Sequence, residues 1–192
     1  MSTVVFDISV SIDGFITASN QTPDEPMGEG GLRLHDWIGR DDANRQYMEE
    51  ALGGLGAVIC GRRTFDHSIT WWGPNGPSGP ARRPTIVVTH HAPDTAPENG
   101  VYEFATDGIH DALDRARAAA GNGSVCVMGG ADLGQQYLAA GLLDEVSLHV
   151  VPVIFGAGTR LFENLPTDHL PLETLQVVET PAAIHTRFRI VK

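Results

Sequence analysis

The sequence predicts an α/β fold: a single domain over residues 1–192, with a mainly parallel central sheet, antiparallel C-terminal strands and flanking helices. Two observations carry this expectation. Strand-length runs rich in Val, Ile and Phe alternate with helical segments as far as Ala140, the pattern that builds a parallel sheet. After Leu143 the helical segments stop and strand-like runs follow, which suits antiparallel additions at one side. At 192 residues and 42% hydrophobic content the chain can bury one sizeable core, and no repeat, low-complexity tract or linker divides it.

Taken in order, Thr3 to Ser11 is a buried first strand by its Val, Ile and Phe content, and Asp13-Gly14 supplies turn chemistry after it. Residues 22–31, TPDEPMGEGG, form a loop. From Asp42 to Leu52 the spacing of Tyr47, Met48, Ala51 and Leu52 predicts an amphipathic helix, with Asp41 or Asp42 as its N-cap. AVIC, 57–60, is a short buried strand. Residues 71–84, WWGPNGPSGPARRP, are too crowded with Pro and Gly for regular structure and predict a flap. TIVVTHH (85–91) is a strand, Gly108 to Ala120 a helix, SVCVM (124–128) a strand and Asp132 to Ala140 a helix. LDEVSLHVVPVIFG (143–156) predicts one long strand, and two more close the chain around 172–180 and 183–191.

Composition excludes several classes of function. A formal charge of −11 argues against contact with a nucleic-acid backbone, whose binders present basic surfaces. No apolar run is long enough for a membrane span or signal segment, so a cytoplasmic protein with no membrane partner is expected. Cys60 and Cys126 sit in apolar runs as free thiols, without CxxC or zinc-ligand spacing, and no metal is expected. GxGxxG, a Walker A loop, HExxH, GxSxG and SxxK are all absent.

Chemistry concentrates at three strand ends, CGRRTF (60–65), VTHH (88–91) and MGGADLG (128–134). In an open parallel sheet the carboxyl ends of the strands face one crevice, so these segments are expected to converge on a ligand. Gly61 and the pair Gly129-Gly130 are either tight turns or places where backbone approaches a ligand. Arg62 and Arg63 are either solvated helix residues or phosphate partners, since a helix start and a planar guanidinium both suit an anion. Asp13 is a turn former or a carboxylate that orients substrate and relays a proton. Trp71 and Trp72 either stack on a planar heterocycle or anchor their loop.

As an ordered set, SVSIDGFI, VICGRRTF, RRPTIVVTHH, VMGGADLGQQYL and LLDEVSLHVVPVIFGAGTRLF resemble the dihydrofolate reductase-like superfamily over residues 3–163. The nearest likeness is to the reductase domain of bifunctional riboflavin-biosynthesis enzymes and its stand-alone relatives. The resemblance implies NADPH as hydride donor and a homodimer. It implies that Gly61, Arg62, Arg63 and Thr64 hold cofactor phosphates, with Thr89 and His90 beside the adenosine ribose and its 2′-phosphate. Gly129 and Gly130, often joined by a cis peptide in this superfamily, would admit the cofactor to the backbone, and the amides of Ala131, Asp132 and Leu133 would face the pyrophosphate. Gly156 and Gly158 would lie near nicotinamide and substrate, and Phe155 and Trp72 are expected to contact the substrate.

The sequence departs from the pattern in four places. Sixteen positions before Gly61, where the folate enzymes carry an acid, stands Arg45; Phe15 replaces the lysine of the riboflavin-pathway DGK. Asp132 replaces a basic residue after the glycine turn, leaving Arg62, Arg63 and Arg82 or Arg83 to supply positive charge. The fused zinc-deaminase signature is missing. Three functions follow as expectations: reduction of a C=N or C=O group in a small heterocyclic substrate, reduction of the riboflavin-pathway 5-amino-6-(5-phosphoribosylamino)uracil, or nucleotide binding without turnover.

Overall fold

Val4–Ser11 (β1) is buried along almost its whole length because it lies at the middle of an eight-stranded sheet. It pairs in parallel with Ser124–Met128 (β5) on one side and Glu145–Val151 (β6) on the other. Beyond β5 come Leu55–Gly61 (β2), Thr85–Val88 (β3) and Tyr102–Ala105 (β4), all parallel. Beyond β6, Ile184–Ile190 (β8) and Leu172–Glu179 (β7) run antiparallel, giving the order β4-β3-β2-β5-β1-β6-β8-β7. Four helices flank the sheet: Asp42–Gly54 (α1), Arg62–Trp72 (α2), Ile109–Ala120 (α3) and Ala131–Ala139 (α4). This is a computed structural model, and it describes residues 2–163, 165 and 169–192. Met1 lies outside them.

Strand alternation divides the sheet into two unlike faces. On one, Val4, Phe6, Ile8 and Val10 meet Ile59, Val125 and Val127 and the apolar sides of α3 and α4, including Leu113, Ala116, Leu133 and Tyr137. That face is a dry core. On the other, β1 presents Val5, Asp7 and Ser9, and β6 presents Ser147 and His149. A smaller apolar cluster of Leu34, Trp37, Val151 and Ala183 covers one end of this second face, and Cys60, Phe65 and Val87 cover the other.

Local chemistry accounts for most element ends. Asp41 caps α1, its carboxylate accepting from the backbone N–H of Asn44 at 2.9 Å. β6 stops at Val151, short of the expected 143–156, because Pro152 has no N–H to offer a ladder. β3 ends at Val88, so Thr89, His90 and His91 belong to the following turn rather than to a strand. β4 went unrecognised in the sequence: four residues at a sheet edge leave too little periodicity, and the strand is defined by pairing with β3.

The 71–84 segment corrects another expectation. Trp71 and Trp72 complete α2, and short 3₁₀ turns follow at Gly73–Asn75 and Gly79–Ala81. Rather than a free flap it is tied down. The Tyr102 hydroxyl donates to the Gly73 carbonyl at 2.6 Å, Arg82 donates to the Asn99 carbonyl at 2.7 Å and to the Asn75 side chain, and the Arg83 N–H donates to Ser78 Oγ at 2.7 Å.

Two helical glycines test this packing in opposite directions. A Cβ on Gly134 of α4 would overlap the ring of buried Phe6, whereas one on Gly53 of α1 meets nothing within 4 Å. Gly134→Ala is expected to lower unfolding free energy by about 1–3 kcal/mol through overpacking. Gly53→Ala is expected to be neutral or to stabilise by up to about 1 kcal/mol through helix propensity. Urea titration of both variants measures the contrast.

Candidate functional site

Three of the four helices begin in the same unusual way. Gly61, Gly108 and Gly130 are the N-caps of α2, α3 and α4, and none has a side chain to accept from the first-turn amides. Such amides carry the positive end of the helix dipole and lack intrahelical partners. The first turn of α2 also carries no acidic side chain. All three glycines line a single cavity of about 1370 Å³, which exceeds the span of an ordinary small-molecule pocket.

The strand ends named from the sequence do converge here. Gly61, Arg62, Arg63, Thr64, Thr89, His90, Gly129, Gly130, Ala131, Asp132, Leu133 and Trp72 all line this cavity. Arg62 bridges two of the turns: its Nε donates to Asp66 at 2.8 and 3.0 Å and its terminal nitrogen to the His91 carbonyl at 2.8 Å, which also accepts from Thr89 Oγ1. Arg63 reaches Gln21 Oε1 at 3.2 Å and is otherwise exposed. Arg82 and Arg83 do not line the cavity, so the charge expected of them is not supplied there.

Gly129 has φ +98°, a conformation unfavourable to side chains, and a Cβ there would overlap the side chain of Thr64. Its glycine requirement is thus met by the turn and by Thr64 of α2, before any ligand is considered. Gly130 is roomier, with Thr64 Oγ1 3.7 Å from a Cβ position. No peptide bond among the described residues is cis, so the Gly129–Gly130 linkage is trans, contrary to the resemblance.

Four candidates fall elsewhere. Asp13 does not line the cavity; its carboxylate accepts from Ser11 Oγ at 2.6 Å, from the Phe155 amide at 3.2 Å and from the Gly156 amide at 2.7 Å. Those bonds, that of Ser11 first, hold its carboxyl down at about 2, so at neutral pH it has no proton to give. Asp13 is a clasp on the 155–156 turn. Phe155 packs with the Leu34 and Trp37 cluster, and neither Gly156 nor Gly158 lines the cavity. Gly158, at φ +145°, is pressed against the backbone carbonyl of Thr17, which explains the glycine by packing alone. From this loop it is Thr159 that lines the cavity.

The far half of the cavity was missed in the sequence. It lies between α1 and the polar face of β1 and β6. Tyr47, Met48, Ala51 and Leu52, the apolar stripe of α1, line the void together with Asp7, Ser9, Trp37, Ser147 and His149. Of the residues of α1 only Asn44 is fully buried. A connected polar chain backs this wall. His149 Nε2 stands 3.1 Å from Asp7 Oδ1, His149 Nδ1 2.9 Å from His185 Nδ1, His185 Nε2 3.0 Å from Asn44 Oδ1, and Asn44 Nδ2 2.8 Å from Asp41 Oδ2. Trp37 lies with its ring 4.4 Å from that of His149 and donates from Nε1 to Ser9 Oγ. The available signal was the polar residue at alternate positions of buried strands, Asp7 and Ser9 in β1, Ser147 and His149 in β6.

Comparison with known proteins bears on the family and the fold. Residues 2–186 match the family model of the RibD C-terminal domain. An uncharacterized Bacillus subtilis protein, YwjB, is 27% identical over 167 residues, covering 85% of this chain and 84% of its own. Thermotoga maritima diaminohydroxyphosphoribosylaminopyrimidine deaminase/5-amino-6-(5-phosphoribosylamino)uracil reductase superposes with a TM-score of 0.65 at 15% identity over 99% of this chain and 57% of its own. Enterococcus faecalis dihydrofolate reductase, solved with NADP(H), does so at 0.58 and 15% over 99% and 97%. These two show a shared dihydrofolate reductase-like fold.

The Asp13 clasp generates a pH signature. A folded-state carboxyl at about 2, against 3.8 for the free group, contributes stability that is complete above the unfolded value and is lost as pH falls through the folded one. Asp13→Asn is expected to melt below the parent protein at pH 5–7. The gap should close between roughly pH 4 and pH 2, as thermal denaturation across that range will record.

Proposed function

The chain belongs to the RibD C-terminal domain family, and from that membership we propose that it is an NADPH-dependent reductase acting on a C=N or C=O group of a small heterocyclic substrate. The observation that carries the reading is the meeting of three uncapped, glycine-led helix N-termini on one elongated cavity. Amides of this kind bind phosphate oxygens without a positive side chain, so the replacement of a basic residue by Asp132 is tolerable. The residues therefore fit a dinucleotide: the starts of α2 and α4 with Thr64 would hold its phosphates, and Arg62, Arg63, Thr89 and His90 its adenosine end. The cofactor would supply the hydride.

The chain's own residues do the rest. Tyr47, Met48 and Leu52 of α1 with Trp37 offer an apolar, partly aromatic wall that excludes water and accepts a flat ring. Asp7 offers that ring a carboxylate. The riboflavin-pathway substrate is the alternative supported by the family itself, and its phosphate would need a cation at this end. Arg187 lines the cavity but is paired with Glu145. A substrate without a phosphate therefore suits this end better.

A cytoplasmic setting belongs to this reading; among the described residues no helix is long and apolar enough to cross a membrane. So does a homodimer, with no nucleic acid as partner. Edge strand β7 is exposed on nearly every residue and carries Leu172, Leu175 and Val177, a surface suited to a second copy of the chain.

Fluorescence titration is expected to give saturable NADPH binding, weakened about tenfold in Arg63→Ala, the scale of one charge-assisted hydrogen bond, with a smaller change for NADH. Turnover is read as NADPH oxidation against a panel containing phosphorylated and unphosphorylated heterocycles. Absence of any NADPH binding refutes the proposal, and binding without oxidation reduces it to a nucleotide-binding module. In sedimentation velocity, Val177→Lys is expected to shift a dimer toward monomer.

A further inference from the structure

Hydrogen-bond bookkeeping along the buried chain behind the cavity fixes where each proton lies. Asp41, the α1 N-cap, is a carboxylate and can only accept; it takes the backbone N–H of Asn44 on Oδ1 and the Asn44 side-chain amide on Oδ2. Asn44 must therefore turn its NH₂ to Asp41 and its carbonyl oxygen to His185. That oxygen needs a donor, so His185 carries its proton on Nε2. Burial is the largest cause holding His185 down at about 4, so it is neutral at pH 7 and its Nδ1 bears a lone pair. The contact between the two Nδ1 atoms, 2.9 Å, then requires a proton on His149 Nδ1. With that site filled, the 3.1 Å contact of His149 Nε2 with Asp7 Oδ1 joins two acceptors unless a second proton sits between them.

We propose that His149 and Asp7 hold this proton as an imidazolium–carboxylate pair facing the cavity, and that His149 is the proton donor of the reduction, with His185, Asn44 and Asp41 as positioning residues. The pair is accessible from one side only: the Asp7 side chain is 36% exposed and lines the cavity, while His149 is 4% exposed. The groups facing His149 are Asp7 of β1, His185 and Arg187 of β8, Tyr47 of α1 and His35 of the 3₁₀ turn Gly31–His35. Burial pushes the Asp7 carboxyl up, and the charge and hydrogen bond of His149 more than reverse this, leaving it below its ordinary value. His35 is held below its ordinary value, first by desolvation and then by His149.

The step balances. A bound nicotinamide would supply the hydride pair for the new C–H bond; the π pair of C=N or C=O would move to the heteroatom, which would take the proton held between His149 Nε2 and Asp7 by way of the Asp7 carboxylate that faces the cavity. His149 would be left neutral beside anionic Asp7, and a solvent proton would restore the pair.

This inference rests on the reductase reading, and its first test does not. Nitrogen-15 NMR of histidine-labelled, cofactor-free protein at pH 7 is expected to show His149 protonated on both ring nitrogens and His185 neutral with its proton on Nε2. In Asp7→Asn, His149 is expected to become neutral. A neutral His149 in the parent protein, or one whose charge survives Asp7→Asn, overturns the proposal whatever the enzyme does. In turnover, Asp7→Asn and His149→Gln should each lose about 100-fold or more in kcat, with the Kd for NADPH unchanged. An unchanged kcat in either variant overturns the donor role. No NADPH oxidation with the NMR signature intact overturns the reductase reading, and the donor role with it.

Discussion

An apolar helix laid on a sheet normally closes onto it, and α1 does not, because the strand face beneath it is polar. Asp7, Ser9, Ser147 and His149 stand on that face. Sealing them under Tyr47, Met48 and Leu52 would strip a carboxylate and an imidazole of solvent, and the Tyr47 hydroxyl, 3.5 Å from Ser147 Oγ, is the one polar group this stripe offers in return. The helix is held away instead, tethered at its N-terminus by Asn44, whose side chain bridges Asp41 and His185. The cavity is the space left by that incompatibility. Its apolar wall and its charged wall meet where Tyr47 stacks on His185, and elsewhere they stand apart.

The other half of the cavity has a different origin. Parallel strands deliver successive helices to one end of the sheet, and the chain must turn sharply each time. Gly129 lets the turn after β5 come up against Thr64 at the start of α2, so that two crevice-lining turns touch directly. Arg62 adds a second tie, from α2 to the turn after β3. These contacts hold the first-turn amides of α2 and α4 in one place. An anion site made of backbone depends on such mutual bracing, since no single side chain defines it.

The difference between the halves explains what was legible in the sequence. Parallel turns announce themselves through glycine, arginine and threonine at strand ends, and twelve of the named candidates, from Gly61 to Leu133, indeed line one cavity. Element types were readable for the same reason, because periodicity is local; β4 escaped because its evidence is a pairing partner, not a pattern. The α1 wall was readable as a helix face, but an apolar stripe does not say whether it meets protein or ligand. Asp13 illustrates the opposite error. An acid after a first strand invites a catalytic role, yet this carboxylate is engaged by the Ser11 hydroxyl and by two backbone amides 142 and 143 residues away. His149 could be noticed as polar within a buried strand, but its connection to Asp7, His185 and Asn44 spans three strands and a helix.

Charge is distributed along the cavity with the opposite sense at its two ends. Helix termini and the guanidinium group of Arg63 make one end attractive to anions, Arg62 being matched by Asp66. At the other, the Asp7 carboxylate is open to the cavity, and the cationic Arg187 is already matched by Glu145. A long ligand with phosphates along one half and an uncharged ring at the other can align with this field in one direction only. Reversing it would place phosphate beside Asp7 and leave the amides of α2 and α4 unmatched. Orientation is thus set by electrostatics before shape is consulted, and in a chain with a net charge of −11 the positive end stands out against its surroundings. A second ligand sharing the cavity then meets a wall whose charges are already matched, Asp7 by His149 and Arg187 by Glu145, which favours a neutral ring over a second phosphate.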